Sequence, residues 1–385
     1  VTDDKGKDFA SFRWYSSLDN FSFGQLVNYV KNPISNRDSL VVNHDINYRH
    51  NEELNFSSNL IYSNNKDELS KEVGKGVILK TSYVPVRHWQ NNLEWSYLDD
   101  DLNINDFGYM QRNNVSTFKV NSQYDNYSFN LNSPILRTRS FGEYQSQRNT
   151  KGLTLRDSVY LSYLIGLRSK HIFRTGLKHT ASGNDDLITR QLGNVFLPAQ
   201  KELHVYYASP SPSEFSFNAR FDYFQEGASE WASKYQLNTT TYFTDSVRLN
   251  ANYTYLDSND WLIGNATGQV KRYRRKLNKL YAKLITRISN AADFTLTSQW
   301  FGLKATGIQS DYHQYLSGED FNVSRFALQA RYRHRLTNGA SFYLVYSHNG
   351  FDDTLEEDTQ FEDLLTNAIS DPTQKSLTAK INWVF

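Results

Sequence analysis

Apolar and polar side chains alternate one for one along segment after segment of this chain. In "EFSFNARFDYF", Phe215, Phe217, Ala219, Phe221 and Tyr223 fall on one side, and Ser216, Asn218, Arg220 and Asp222 on the other. "VRLNANYTY" sets Val247, Leu249, Ala251, Tyr253 and Tyr255 against Arg248, Asn250, Asn252 and Thr254. "FALQARYRHRL" sets Phe326, Leu328, Ala330, Tyr332 and Leu336 against Gln329, Arg331, Arg333 and Arg335. "LNFSSNLIY", "LVVNHDINY", "STFKVNSQY", "YSFNLNS" and "FTLTSQW" repeat the period. Successive side chains of an extended strand point to opposite faces, so a period of two predicts strands. Helical spacing never persists.

Strand length separates two all-β architectures. Sandwich strands run about five or six residues, whereas a tilted strand crossing a bilayer needs roughly ten. The segments here approach the longer value, and their polar sides are rich in Asn, Ser and Thr, as a crowded wet interior requires. The expected fold is a transmembrane antiparallel β-barrel of about 18–22 strands occupying residues 1–385.

The connections alternate in length. Tight links are expected at 125–126, 166–169, 209–213, 244–246, 289–292 and 336–339, and long polar ones at 99–113, 138–150, 182–200, 258–271, 304–321 and 350–373. Outer-membrane barrels have short periplasmic turns and long extracellular loops. If the last strand descends, every short link falls on the periplasmic side. Counting back from Phe385 gives about nineteen strands, the first being "DFASFRWYSS", against the even number usual in bacterial single-chain barrels. Either a strand is miscounted, or the chain is the later part of a longer protein with earlier strands and a soluble domain upstream.

The carboxyl end, "KSLTAKINWVF", is itself a strand, with Leu377, Ala379, Ile381, Trp383 and Phe385 on its apolar side. A closed sheet in lipid must pair its last strand along both edges, so this segment reads as a seam. It resembles the signal by which barrel-insertion machinery recognises bacterial outer-membrane proteins.

Composition narrows the alternatives. There are 26 Tyr and 24 Phe, one Met and seven Pro, with a mean hydropathy of −0.65. So many aromatics in so hydrophilic a chain suit a barrel with aromatic girdles outside and polar side chains inside. Lys+Arg number 42 against 41 Asp+Glu, without the basic excess of a nucleic-acid binder. Cysteine is absent, which excludes disulfides and thiolate chemistry. No apolar run is long enough to cross as a helix, and "VTDDKGKDFA" does not read as a signal peptide.

"NDFGYMQRNN" (Asn105, Asp106, Gly108, Tyr109 and Arg112 among its residues) resembles the Asn-Asp-Leu-Gly-Tyr-Leu-x-Arg-Asn/Asp-Asp motif of a family of large outer-membrane proteins. In that family a carbohydrate-binding-module-family-nine-like domain precedes a C-terminal barrel of unknown function. "DFASFRWYSSLDNFSFGQLVNYV" and "INYRHNEELNFSSNLIYS" resemble its early hairpins. The resemblance implies about three further strands upstream, for roughly 22 in all. Phe107 and Met110 stand where the family usually has Leu. The family brings no catalytic residues.

Several clusters carry candidate chemistry. Asp101, Asn103, Asn105 and Asp106 have the oxygen-rich spacing of a calcium loop, without the Glu that completes one; otherwise they form a polar loop with Asx turns. Asp352, Asp353, Glu356, Glu357, Asp358, Glu362, Asp363 and Asp371 form an acidic stretch. It reads as a solvated loop, a docking site for cations bridging lipopolysaccharide or for a basic partner, or a short helix folded over the pore. "KRYRRKLNK" (271–279) is a basic run suited to lipopolysaccharide phosphates or the acidic loop.

Arg13, Arg156, Arg174, Arg220, Arg248, Arg331, Arg333 and Arg335 are expected to line the lumen, with Lys80, Lys119, Lys178, Lys283 and Arg287. A charge facing lipid at mid-depth costs about 2–4 kcal/mol. Such a ladder either selects anions or packs against inward acids such as Asp45, Glu94 and Asp222. The nine His are scattered without metal-ligand spacing, and no nucleophile–base constellation or phosphate loop is present.

These features point to a non-enzymatic bacterial outer-membrane channel or transporter for polar, anionic or saccharide substrates, without a cofactor. The alternative is a membrane anchor or scaffold for partner proteins or surface polysaccharide, or a component of a secretion or assembly complex. Expected partners are outer-membrane lipid and lipopolysaccharide, the insertion machinery, and lipoprotein or periplasmic chains, with no nucleic acid.

Overall fold

A computed structural model describes residues 6–211, 214–309, 315–336, 339–355 and 359–383. In chain order the strands open with β1 (Asp8–Leu18), β2 (Phe21–Asn32), β3 (Arg37–Arg49), β4 (Leu54–Lys66), β5 (Lys71–Val86), β6 (Trp89–Leu98) and β7 (Val115–Asn126). Next come β8 (Ile135–Arg148), β9 (Ser158–Leu167), β10 (Ile172–Thr180), the short β11 (Gly183–Asp185) and β12 (Val195–Leu197), then β13 (Gln200–Ala208), β14 (Phe215–Glu226) and β15 (Glu230–Thr244). The chain ends with β16 (Val247–Gly264), β17 (Val270–Arg287), β18 (Ala292–Gly307), β19 (Leu316–Ser317), β20 (Phe321–Arg335), β21 (Ser341–Thr354), helix α1 (Phe361–Ser370) and β22 (Pro372–Asn382). One sheet takes in 20 strands. Its ladders are antiparallel between chain neighbours, except where β19 runs parallel to β17. Nineteen of the strands have nine residues or more. No described helix is long and apolar enough to cross a membrane.

The chain divides into two compact units. The first is Val1–Tyr127, Arg139–Tyr163 and Lys178–Leu187; the second is Ser128–Thr138, Leu164–Leu177 and Ile188–Phe385. In the first unit β1 to β7 pair in sequence. The tight β1–β2 turn places Asp19 at φ 44°, a left-handed conformation that Asp tolerates. In the second unit β13 to β18 pair in sequence, followed by β20, β21 and β22.

The registers preserve the alternation across strands. Leu249, Leu284, Leu296, Ala330, Tyr346 and Leu377 form one continuous row of cross-strand partners, and Asn250, Lys283, Thr297, Gln329, Ser347 and Ser376 form the next. The sheet therefore has an apolar and a polar face. The apolar face is not packed under a second sheet: Phe215 is 54% exposed and Leu377 70%. Apolar side chains left open along so many neighbouring strands are what a lipid-facing wall presents. Leu377, Ala379 and Ile381 lie on β22 and Trp383 directly follows it, whereas Phe385 lies outside the described residues.

Five expectations about the connections are corrected. "YSFNLNS" is a loop rather than a strand, and the β7–β8 link is 127–134, not 125–126. Asn130 takes over its backbone: its side chain accepts from Asn132 N–H at 3.0 Å, and its carbonyl accepts from Arg168 at 3.1 Å. Conversely, 138–150 is mostly β8; its apolar side is too thin in large residues (Leu136, Thr138, Ser140, Gly142, Tyr144) to show as periodic. The stretch 258–271 is a long hairpin whose link is only 265–269, because polar side chains on the arms disguise the strands. β18 and β21 likewise extend into the expected loops 304–321 and 350–373.

The face assignment predicts an asymmetric response to charge. Leu328→Arg, on the apolar face, should cost about 2–4 kcal/mol in urea unfolding from lipid vesicles, while neighbouring Gln329→Glu on the polar face should cost less than about 1 kcal/mol.

Candidate functional site

Cross-strand registry assembles the polar face of the second unit into a cationic cavity. Arg248 lies opposite Ile285, Ile285 opposite Thr295, and Thr295 opposite Arg331. One row nearer the short links, Arg287 faces Asp293 and Asp293 faces Arg333. Period-two spacing then adds Arg335 beyond Arg333 and Lys283 beyond Ile285 on the same face. The result is a cavity of about 650 Å³ lined by Arg248, Lys283, Arg287, Arg331, Arg333 and Arg335, with Asp245 and Asp293 as its acids. Residues of the short links 245–246 and 288–291 also line it, including Ser246, Ser289 and Asn290, which places it at the short-link end of these strands.

The charges are not balanced. Arg333 donates from Nε to Asp293 at 2.6 Å, but among the described residues the other five cations make no ion pair. The Nε of Arg331 is buried without a hydrogen-bond acceptor. An unpaired buried donor carries a cost of roughly 1–3 kcal/mol. Arg248 lies 5.9 Å from the Tyr242 ring centroid, a cation–π distance that holds it at the cavity edge.

The other arginines divide differently. Arg13 approaches Asp45 at 3.6 Å, Lys80 reaches Glu94 at 3.1 Å, and Arg220 donates to Asp222 at 2.7 Å. These fit ion-pair packing of the polar face rather than a free cationic wall. Arg174 is exposed on β10. Arg156 is not on a strand: it lies in the 149–157 link and donates to the Ala181 carbonyl at 3.2 Å. Strand pairing also brings His204 beside Asp222, with Glu202 two residues earlier, a grouping that sequence spacing did not reveal.

The segment carrying "NDFGYMQRNN" folds onto the polar face of the first unit. Leu102, fully buried, sits over Gly74, where an added Cβ would strike the Leu102 backbone; only glycine admits so close an approach. Asp106 accepts from Arg37 at 2.9 Å and Ser39 at 2.5 Å. Arg112 donates to both carboxylate oxygens of Asp186, at 2.9 and 3.0 Å. Asn105 accepts from the Met110 N–H at 2.8 Å. Between these anchors, Gly108 is unobstructed and Tyr109 is 89% exposed. Within the oxygen-rich set Asp101, Asn103, Asn105 and Asp106, Asp106 thus accepts from a guanidinium and Asn103 from Asn105.

The two charged runs are also resolved. In "KRYRRKLNK", Arg272 donates to Asp260 at 2.6 Å, and Arg275 donates to Glu226 while lying 4.6 Å from the Trp261 ring centroid. Two of the run's six cations are thus neutralised by acids of β14 and β16. In the acidic stretch Glu356, Glu357 and Asp358 lie outside the described residues, while Glu362 and Asp363 open α1. Leu364 and Ala368 are buried against β18, β20 and β21. At Gly350 a Cβ would strike the Ala368 carbonyl, and Phe361 meets Trp300 edge-on at 6.2 Å. Trp300 and Gly350 share the row of Leu280 and Phe326. α1 therefore covers the apolar face, not the polar one as a helix over the pore would.

Two outcomes follow for the inward loop. Arg112→Ala, removing the clamp on the buried Asp186, should lower stability by about 3 kcal/mol in chemical denaturation. Burial raises the Asp106 pKa, but hydrogen bonds from Ser39 and Arg37 and the charges of Arg37 and Lys7 outweigh it, leaving it below the usual carboxylate value. A depressed carboxyl stabilises fully above its unfolded value and stops doing so as pH falls through the folded one. Exchange protection in 99–114, corrected for intrinsic rate, should hold from pH 8 to about pH 5 and weaken below about pH 4. Asp106→Asn should remove that acid dependence.

Comparison with known proteins sets this geometry in context. Residues 18–385 match a family described as a domain of unknown function, DUF5916. No curated protein sequence matches. Among solved structures, the siderophore receptor PirA from Pseudomonas aeruginosa superposes with a TM-score of 0.54 at 8% identity, covering 97% of this chain and 76% of that one. PirA from Acinetobacter baumannii gives 0.56 at 9%, covering 97% and 71%. The outer membrane transporter YddB from Escherichia coli gives 0.54 at 9%, covering 97% and 68%. At such identities the likeness is one of fold: an antiparallel transmembrane β-barrel of the outer-membrane type. The chain belongs to the DUF5916 family and has that barrel fold.

Proposed function

We propose that this protein is a bacterial outer-membrane channel or transporter for polar, anionic solutes, and that the arginine cavity is its anion-selective element. The observation that carries the reading is the cavity itself: six cationic side chains face two carboxylates on the polar face. Burying like charges is costly, so an excess of cations in one recess is more useful to a passing anion than to the fold. Basic side chains lining a pore favour anions. The fold shared with a siderophore receptor and an outer-membrane transporter supports passage rather than catalysis. Phosphorylated, carboxylated or acidic saccharide solutes fit the chemistry. An N-terminal carbohydrate-binding-module-family-nine-like domain, as in the family this chain resembles, would concentrate saccharides at the same barrel.

A second reading, a membrane anchor or scaffold, draws on one observation. The 99–114 loop lies on the polar face of the first unit, with Tyr109 at its exposed tip. Such a loop narrows a lumen and presents an aromatic for a partner or surface polysaccharide. On this reading lipoprotein or periplasmic chains co-purify stoichiometrically with the barrel.

Planar-bilayer recording separates the two. The transport reading expects steady conductance with anion preference. Replacing Arg331, Arg333 and Arg335 together with Gln should shift the reversal potential toward cations by a measurable amount in a salt gradient. Silence in the wild type supports the anchor, and unchanged selectivity in the triple variant removes the cavity from the mechanism.

A further inference from the structure

We propose that Glu202, His204 and Asp222 form a binding site for a divalent transition-metal ion of the Zn²⁺ type. The three residues stand on two adjacent strands of the second unit, apart from the arginine cavity. His204 on β13 and Asp222 on β14 are direct cross-strand partners. Glu202, two residues before His204, shares its face by the period of the strand. One ligand atom from each residue comes within 4.8 Å of the other two. Ligands on a tetrahedral ion with bonds of about 2.0–2.2 Å stand roughly 3–3.5 Å apart, so small side-chain rotations on a fixed backbone close the set around an ion.

The donor chemistry selects the class of metal. One imidazole nitrogen and two carboxylate oxygens suit zinc and its first-row neighbours. Calcium prefers six to eight oxygens and magnesium a largely hydrated octahedron. Three protein ligands leave a coordination position open, available to water or to a polar solute.

The surroundings favour a held geometry. His204 is 5% exposed and Asp222 3%, and the Thr175 hydroxyl donates to the His204 carbonyl at 3.3 Å. Arg220 donates from Nε to one oxygen of Asp222 at 2.7 Å and lies 3.9 Å from Glu202. Carboxylates that ligate metals are commonly oriented by an outer hydrogen bond of this sort.

The full chain in detergent micelles, stripped of metal, tests the site with Co²⁺ as spectroscopic probe and Zn²⁺ by calorimetry. The expected result is one saturable Co²⁺ per chain with visible ligand-field bands, displaced by Zn²⁺. His204→Ala and Asp222→Asn should each weaken binding by about tenfold or more, while His334→Ala binds as the wild type. Glu202→Gln, at the more open side of the cluster, tests the same prediction if a buried substitution impairs folding, as judged by β-sheet circular dichroism. Absence of saturable binding in the wild type overturns the proposal. So does unchanged affinity in the folded variants at His204, Asp222 and Glu202, which would leave the three residues as an ion-pair cluster.

Discussion

Hydrocarbon offers no hydrogen-bond partner to a backbone and no counter-charge to a side chain. That constraint organises the chain. Long strands pair with their neighbours along their length, so peptide groups are satisfied within the sheet. Each strand then has one set of alternate positions for apolar side chains and another for everything charged. Basic and acidic residues therefore accumulate on a single face. Cross-strand pairing decides which of them meet.

Where an acid stands beside a cation, the polar face is knitted together. Arg13 with Asp45, Lys80 with Glu94 and Arg220 with Asp222 are pairs of this kind. Where rows of cations from β16, β17 and β20 converge on only two carboxylates, a recess of unbalanced charge is left. The same residue type therefore serves cohesion in one place and, on the reading offered here, recognition in another. The difference lies in what the neighbouring strand contributes at that row.

The longer links show the same partition. Leu102 and Asp106 draw the 99–114 loop onto polar positions of β3 and β5, where Gly74 removes the side chain that would block it, and Arg112 ties it to Asp186 just after β11. Helix α1 has buried Leu364 and Ala368 one turn apart and settles on the apolar face, where Gly350 opens the space. Both contacts depend on glycine at a point of close approach, and both close only if the link's side chains match the face beneath.

Period, strand length and the alternation of link lengths make the fold class legible in the sequence, because side-chain direction on a strand follows from local geometry alone. The face occupied by Arg248, Arg331, Arg333 and Arg335 was readable for the same reason. Where the pattern thins, as in β8 with its small residues, or where polar side chains extend a hairpin, as in β16 and β17, local signals misplace the boundaries. Register could not be read at all, since a shift of two residues leaves every face unchanged. That Arg331 shares a row with Arg248, that Asp293 reaches Arg333 but not its neighbours, and that His204 stands opposite Asp222 were decided only by strand pairing, a long-range choice no single segment encodes.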